Sequence, residues 1–207
     1  MVKRATKKQR GQVNRDRRKL ILIGCEGKNQ TEKNYFLNFN KIQSEYRIIE
    51  AKGIKSDPKG VLNDLCKSME KEELVIDEGD IPACFIDVDF SASRKTVLRS
   101  VLKVAKEKNI QVYLSNPCFE IWYLLHFRYS TKQYNSNEEV INDLKKYLNT
   151  YKKNQIVFDT LLPLVSTAIT NAKKLISYHS GSKNDCINQS PSTDVYQLVE
   201  LLLQYSV

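Results

Sequence analysis

Between residues 19 and 115 the chain alternates short unbroken apolar runs with segments whose apolar positions recur at helical spacing. Lys19–Gly27, KLILIGCEG, is an apolar run ending at Glu-Gly, the pattern of a strand buried on both sides. Thr31–Phe39 reads as a helix with Tyr35, Phe36 and Phe39 inward, and Glu45–Ala51 alternates as a second strand. Asp57-Pro58 opens a helix to about Leu74, with Val61, Leu65, Cys66 and Met69 on its apolar face. The acidic stretch Glu70–Asp80 reads as a solvated loop. Pro82 precedes a third strand, ACFIDVDF, and Ser93–Asn109 is a basic amphipathic helix with Val97, Val101, Val104 and Ala105 inward. Ile110–Ser115 is a fourth strand. This β-α-β-α-β-α-β order predicts an α/β fold, a largely parallel sheet flanked by helices.

From Pro117 onward the pattern is helical. PCFEIWYLLHF has Asn116 as its expected cap and Pro117 in its first turn. Glu138–Tyr151, Phe158–Tyr178 with a break near Pro163, and Thr193–Tyr205 with Ser192 or Thr193 as cap follow, after a polar loop over 180–192. The expected organisation is an arm over 1–18 and one domain over 19–207. That domain has an α/β core over about 19–128 and an added C-terminal helical portion over about 129–207.

Charge changes the picture at the N-terminus. The net charge is +9, and most of it sits in Lys3, Arg4, Lys7, Lys8, Arg10, Arg15, Arg17, Arg18 and Lys19, opposed there by Asp16 alone. Such a segment cannot bury apolar surface and is expected to be disordered when free. It is either a nucleic-acid-binding arm that releases counterions on docking or a solubilising tail. No apolar run approaches the roughly 18 residues of a membrane span, and no signal-peptide core follows the basic start. A cytoplasmic protein without membrane contact is expected. The cysteines number five, an odd count without Cys-x-x-Cys, and read as reduced core thiols. Neither His126 nor His179 belongs to a cluster of zinc-ligand spacing.

The acidic residues carry the candidate chemistry. Asp87 and Asp89 end the third apolar run. On a strand both carboxylates would share one face, their Cα atoms about 6.6 Å apart at a rise of roughly 3.3 Å per residue. Two negative charges at that distance repel by about 2.5 kcal/mol at an effective dielectric of about 20. A hard divalent cation turns that repulsion into attraction. Glu26 ends the first run in the same way. The carboxyl ends of strands border the ligand crevice of an open α/β sheet, so neighbouring first and third strands would join Glu26 to the two aspartates. Gly27 would permit a close turn and leave backbone room for a phosphate. Mg²⁺ or Mn²⁺ held by Glu26, Asp87 and Asp89 could polarise a phosphoryl oxygen, acidify a water or steady a leaving oxygen. Glu26 would act as ligand or general base. Nucleotidyl transfer, strand cleavage and phosphoester hydrolysis share this chemistry, and the triad does not separate them.

Three segments together resemble the RloB-like family, itself similar to the Toprim fold of topoisomerases, primases and OLD-type nucleases. They are ILIGCEGKNQTEKNYF, with Glu26, Gly27, Thr31, Glu32 and Tyr35; CFIDVDF, with Asp87 and Asp89; and LSNPCFEIWYLLHF, with Ser115, Asn116, Pro117, Phe119, Glu120, Trp122 and His126. NQSPSTDVYQLVELL is a weaker fourth, and the resemblance runs from about Leu20 to the end. It implies a Toprim-like fold, Mg²⁺ binding and catalysis by Glu26, Asp87 and Asp89, and nuclease activity. It also implies a role in antiphage defence or abortive infection. A separate ATPase partner is possible, and this chain has no phosphate-binding Gly-x-x-x-x-Gly-Lys-Ser/Thr loop of its own.

Supporting candidates each have a plain alternative. Lys28, Lys33, Arg94 and Lys95 could offset phosphate charge or lie solvated. Glu120 is a fourth ligand or an anion favoured by a helix N-terminus. Asn116 is a cap or a substrate contact. Phe119, Trp122 and His126 share a helical face as a core stripe, unless His126 serves as proton shuttle or phosphate contact. Tyr129, Tyr134, Tyr147, Tyr151 and Tyr178 stack bases or pack in cores. Three classes stay open: a metal-dependent nuclease, a nucleotidyl-transferring or phosphoester-hydrolysing enzyme, and a non-catalytic nucleic-acid-binding subunit of an ATPase-containing defence complex.

Overall fold

The computed structural model describes residues 18–206 apart from 28–29, 54 and 180–184. The sheet forms where the apolar runs lie. β1 (Lys19–Cys25), β2 (Tyr46–Glu50), β3 (Ile81–Asp87) and β4 (Gln111–Asn116) run parallel in the order β2-β1-β3-β4. A two-residue β5 (Ser192–Thr193) adds antiparallel to β4. The expected α/β class with a largely parallel sheet is met.

Helices cover both faces, which is why the inner strands read as continuous apolar runs. α1 (Thr31–Asn38) shares one face with α4 (Glu120–Phe127), α5 (Asn137–Leu144), α6 (Phe158–Leu161), α7 (Val165–His179) and α8 (Tyr196–Leu203). α2 (Pro58–Lys71) and α3 (Ala92–Glu107) cover the other. Successive strand residues serve opposite cores: Ile21, Ile23, Ala83 and Phe85 pack with the larger group of helices, Leu22, Cys84 and Ile86 with α2 and α3. Asp57 caps α2 by accepting from the Gly60 amide at 2.9 Å. The expected break near Pro163 is a short 3-10 turn, Leu162–Leu164, between α6 and α7. All five cysteines are free thiols. Among the described residues no helix is long and apolar enough to cross a membrane.

Trp122 is fully buried and meets Tyr35 and His126 edge-on. Trp122→Ala is expected to cost about 3–5 kcal/mol through lost transfer energy and the cavity left behind. Urea denaturation measures it; a loss under about 1 kcal/mol would mean that the helical layer collapses around the gap.

Several local expectations change. β3 starts at Ile81, contains Pro82 and stops at Asp87. Asp89 is therefore not a strand residue; it adopts φ +55° in the turn that follows. Asn116 does not cap α4 but ends β4 opposite Ser192, and its Nδ2 donates to the Cys186 and Ile187 carbonyls at 2.8 and 3.3 Å. The helices-only reading past Pro117 misses β5, because two polar residues carry no alternation. Ser192 and Thr193 are that strand, although Thr193 Oγ1 still accepts from the Val195 amide at 3.3 Å. On α3 the buried stripe is Leu98, Val101 and Ala105, whereas Val104 is exposed.

Candidate functional site

From β1 the chain crosses through α1 to β2 on one side, and from β3 through α3 to β4 on the other. The crevice outside the carboxyl ends of β1 and β3 is the point where the winding reverses, the usual ligand position of such sheets. Cys25 pairs with Phe85, so Glu26 leaves β1 beside the end of β3, where Asp87 sits. Gly27 turns the chain away at φ +62°, and its amide donates to the Lys55 carbonyl at 2.8 Å. A side chain there would be strained by the positive φ and would press on Ser56 Cβ at 3.3 Å.

Glu26 and Asp89 are joined by Arg94, from the first turn of α3. Its Nη2 lies 2.5 Å from each Glu26 carboxylate oxygen. Its Nε donates to the Asp87 carbonyl at 2.9 Å and lies 3.1 Å from Asp89 Oδ2. The Asp89 turn is held by its amide, which donates to the Pro117 carbonyl at 3.0 Å, and by Asn137 Nδ2 of α5, which donates to Asp89 Oδ1 at 3.1 Å. The left-handed turn thus brings Asp89 to Glu26 by a route other than the strand pleat.

A deeper acidic set lies beneath. Glu32, in the first turn of α1, and Glu120, the first residue of α4, are both buried. The Tyr151 hydroxyl donates to Glu120 Oε1 at 3.2 Å. Burial pushes the Asp87 carboxyl well above the ordinary range, and Glu32, Glu120, Glu26 and Asp89 add to the rise. Burial likewise lifts Glu32 to about 8, with Glu120 and Glu26 contributing. Glu32 Oε2 is buried without a hydrogen-bond partner. Burial lifts Glu26 to about 7 against the opposing pull of Arg94, with Asp89 and Asp57 assisting. Lys153 faces the same set: burial works against its charge, but Glu120, Cys118, Asp87 and Glu32 outweigh it and leave its pKa raised. Its loop is tied to α1 through Asn154, which accepts from the Gln30 amide at 2.7 Å and from Asn34 Nδ2 at 2.9 Å. On the β2 side lies a pocket of about 380 Å³, lined in part by Gly24, Cys25, Gly27, Lys33, Lys55 and Asp64.

The triad named from sequence therefore gathers, with Asp89 arriving from outside the strand. Among the described residues no three His, Cys, Asp or Glu side chains already stand at metal-ligand spacing; the Glu26–Asp89 gap is spanned by Arg94. Glu120 joins the site. Asn116 and His126 belong elsewhere. Asn116 is buried at the β4–β5 edge. His126 is 1% exposed, its Nδ1 bonds to the Trp122 carbonyl at 2.9 Å, and burial lowers its pKa to about 4. It is a neutral ring in an aromatic cluster. Of the five tyrosines set among lysines, Tyr134 and Tyr151 are buried and Tyr129, Tyr147 and Tyr178 are exposed. Lys28 and the arm residues Lys3, Arg4, Lys7, Lys8, Arg10, Arg15 and Arg17 lie outside the described residues; Arg18 donates to the Gln43 carbonyl at 3.3 Å. Glu32 and Lys153 were not singled out from sequence as site residues. An acidic residue in a helix first turn reads as a dipole complement, and Lys153 is one lysine in a loop of several.

The family model for the RloB-like protein matches residues 21–202. No curated protein and no solved structure matches the chain.

Proposed function

Because the chain belongs to the RloB-like protein family, we propose that it is a Toprim-type, metal-dependent phosphodiesterase that cleaves nucleic acid in antiphage defence. What supports this reading is the approach of Glu26 to Asp87 and Asp89 at the winding reversal, above Glu32 and Glu120. The donors are hard carboxylate oxygens, the kind Mg²⁺ and Mn²⁺ take. The unpartnered Glu32 Oε2 fits the same chemistry, since a cation or its bound water would satisfy it. Glu26, Asp87 and Asp89 would hold the ion. When bound, it would supply polarisation of a phosphoryl oxygen and a more acidic water.

The chain's own groups supply the rest. Glu26 would serve as a ligand or, through an oxygen the ion leaves free, take a proton from an attacking water. Glu120, which accepts from the Tyr151 hydroxyl, and Glu32 place further carboxyl oxygens on the floor of the site. Lys153 offsets charge gathering on a phosphate. The pocket beside Gly27 has room for a nucleotide unit, and the basic arm adds phosphate contacts along the strand. An ATPase, where needed, would be a separate subunit.

Incubation of the full chain with single- and double-stranded DNA and RNA, in EDTA, Mg²⁺ or Mn²⁺, tests the reading. Cleavage is expected with metal and not with EDTA. Products only from nucleoside triphosphates or small phosphoesters would move the activity to the second enzyme class. Binding without any product would leave a non-catalytic subunit.

A further inference from the structure

A cation of the protein itself stands at the oxygens that the proposed ion needs. Arg94 Nη2 lies 2.5 Å from both carboxylate oxygens of Glu26, and Nε lies 3.1 Å from Asp89 Oδ2. A guanidinium and a divalent ion compete for such oxygens, and at these separations they repel each other. Because Nη2 engages both Glu26 oxygens, an ion that coordinates this carboxylate must take at least one of them from Arg94. Once the carboxylates turn to an ion, Arg94 loses its counter-charges while its side chain is only 17% exposed. A largely desolvated guanidinium left with only the Asp87 carbonyl as partner is costly, and its planar fork matches phosphate oxygens.

We propose that Arg94 is an exchangeable counter-cation: it neutralises Glu26 and Asp89 in the metal-free protein and, when a divalent ion takes those oxygens, contacts a phosphate oxygen of the substrate. This rests on the metal-dependent reading of the site. Asn137 holds Asp89 Oδ1 at 3.1 Å, so that carboxylate stays in place while its other oxygen changes partner. Arg94 is thus a substrate-contacting residue whose availability depends on the ion.

Two measurements on the full chain test the exchange: Mn²⁺ affinity, from loss of the free-ion electron paramagnetic resonance signal, and anisotropy of a labelled single-stranded oligonucleotide in EDTA or in Ca²⁺. Arg94→Gln is expected to bind Mn²⁺ about tenfold tighter than the unaltered chain, the size of one charge-assisted hydrogen bond. Its oligonucleotide affinity should fall about tenfold in Ca²⁺, with a salt slope lower by about one. In EDTA it should match the unaltered chain, because Arg94 is then engaged with carboxylates. Arg94→Lys keeps the charge without the fork, should show smaller changes in the same directions, and serves if the glutamine variant does not fold. Unchanged or weaker Mn²⁺ binding in a folded variant overturns the exchange, as does an oligonucleotide loss equal with and without metal. Failure of the unaltered chain to bind the oligonucleotide overturns the phosphate contact. Mn²⁺ binding that Glu26→Gln does not weaken overturns instead the metal assignment beneath it.

Discussion

Asp87→Asn is expected to abolish metal-dependent cleavage while raising the melting temperature of the metal-free protein. The activity loss follows from geometry. Asp87 closes β3, and Glu32, Glu120, Glu26 and Asp89 all act on its carboxyl. Amide replacement removes a negative ligand, and a loss of about 4 kcal/mol of transition-state stabilisation corresponds to roughly 10³-fold in rate. The stability gain follows from electrostatics. Burial, reinforced by four neighbouring carboxylates, opposes ionisation of Asp87 in the fold, whereas the unfolded chain ionises it freely. Asparagine has nearly the same shape and nothing to ionise, so it removes that cost. The gain should be visible at pH 7, shrink as pH falls toward the ordinary aspartate value of 3.8, and vanish below about pH 3, where the unfolded carboxyl is also protonated. Metal-free calorimetry and a cleavage assay on the same preparation decide it. A variant that keeps a tenth of the activity, or melts lower than the unaltered chain at pH 7, contradicts the placement of Asp87 at the centre of the site.

Without metal the protein should also lose stability as pH rises from about 4.5 to about 8. Glu26 and Glu32 have folded-state values of about 7 and about 8 against an ordinary 4.5. A carboxyl whose pKa is raised by folding keeps its proton longer in the folded state. Its contribution is therefore least unfavourable below the unfolded value, worsens as pH rises, and levels off above the folded value. At 1.36 kcal/mol per unit, the two together amount to several kcal/mol in order of magnitude. Asp143 has the opposite sign: burial works against it, but hydrogen bonds from Lys146, Lys132 and Tyr134 bring it down to about 2. Its stabilisation is complete above about 4 and lost only toward pH 2, outside the window. His126, lowered by burial from 6.5 to about 4, gains stability as pH rises to about 6.5 and offsets part of the fall there, but the two glutamates outweigh it. Melting temperatures in EDTA across pH 4 to 9 should fall through that window, and Mg²⁺ should flatten the curve by favouring the ionised carboxylates. Glu32→Gln should flatten it in part without metal. A level or rising curve in EDTA would mean that the deeper acids remain well solvated.

The α/β order was legible because each strand is an apolar run and each helix keeps a stripe. Glu26 and Asp87 were legible because they end such runs. Asp89 lies beside Arg94 and Glu26 by a route the sequence did not suggest: strand pleat predicts a shared face, but the left-handed turn after β3 brings it round. Asn116 was misread because Asn-Pro before an apolar run also describes a helix start; its actual partners, the Cys186 and Ile187 carbonyls, lie 70 and 71 residues away. Glu32 and Lys153 were illegible for the same kind of reason. Each looks like a solvated charge until packing removes its water, and no local pattern reports that packing. Arg94 stood among several basic residues near the aspartates, and only the fold distinguishes it from Lys95.

The acids of this site are shared between layers: Glu26 and Asp87 come from the sheet, Glu32 and Glu120 from helices laid upon one face of it. Anything that draws them together acts as a suture across that seam. Partial openings that lift the N-terminal ends of α1 and α4 from the strands would have to undo it first, so occupancy would suppress local breathing in both helices at once and leave the α2–α3 side to fluctuate as before.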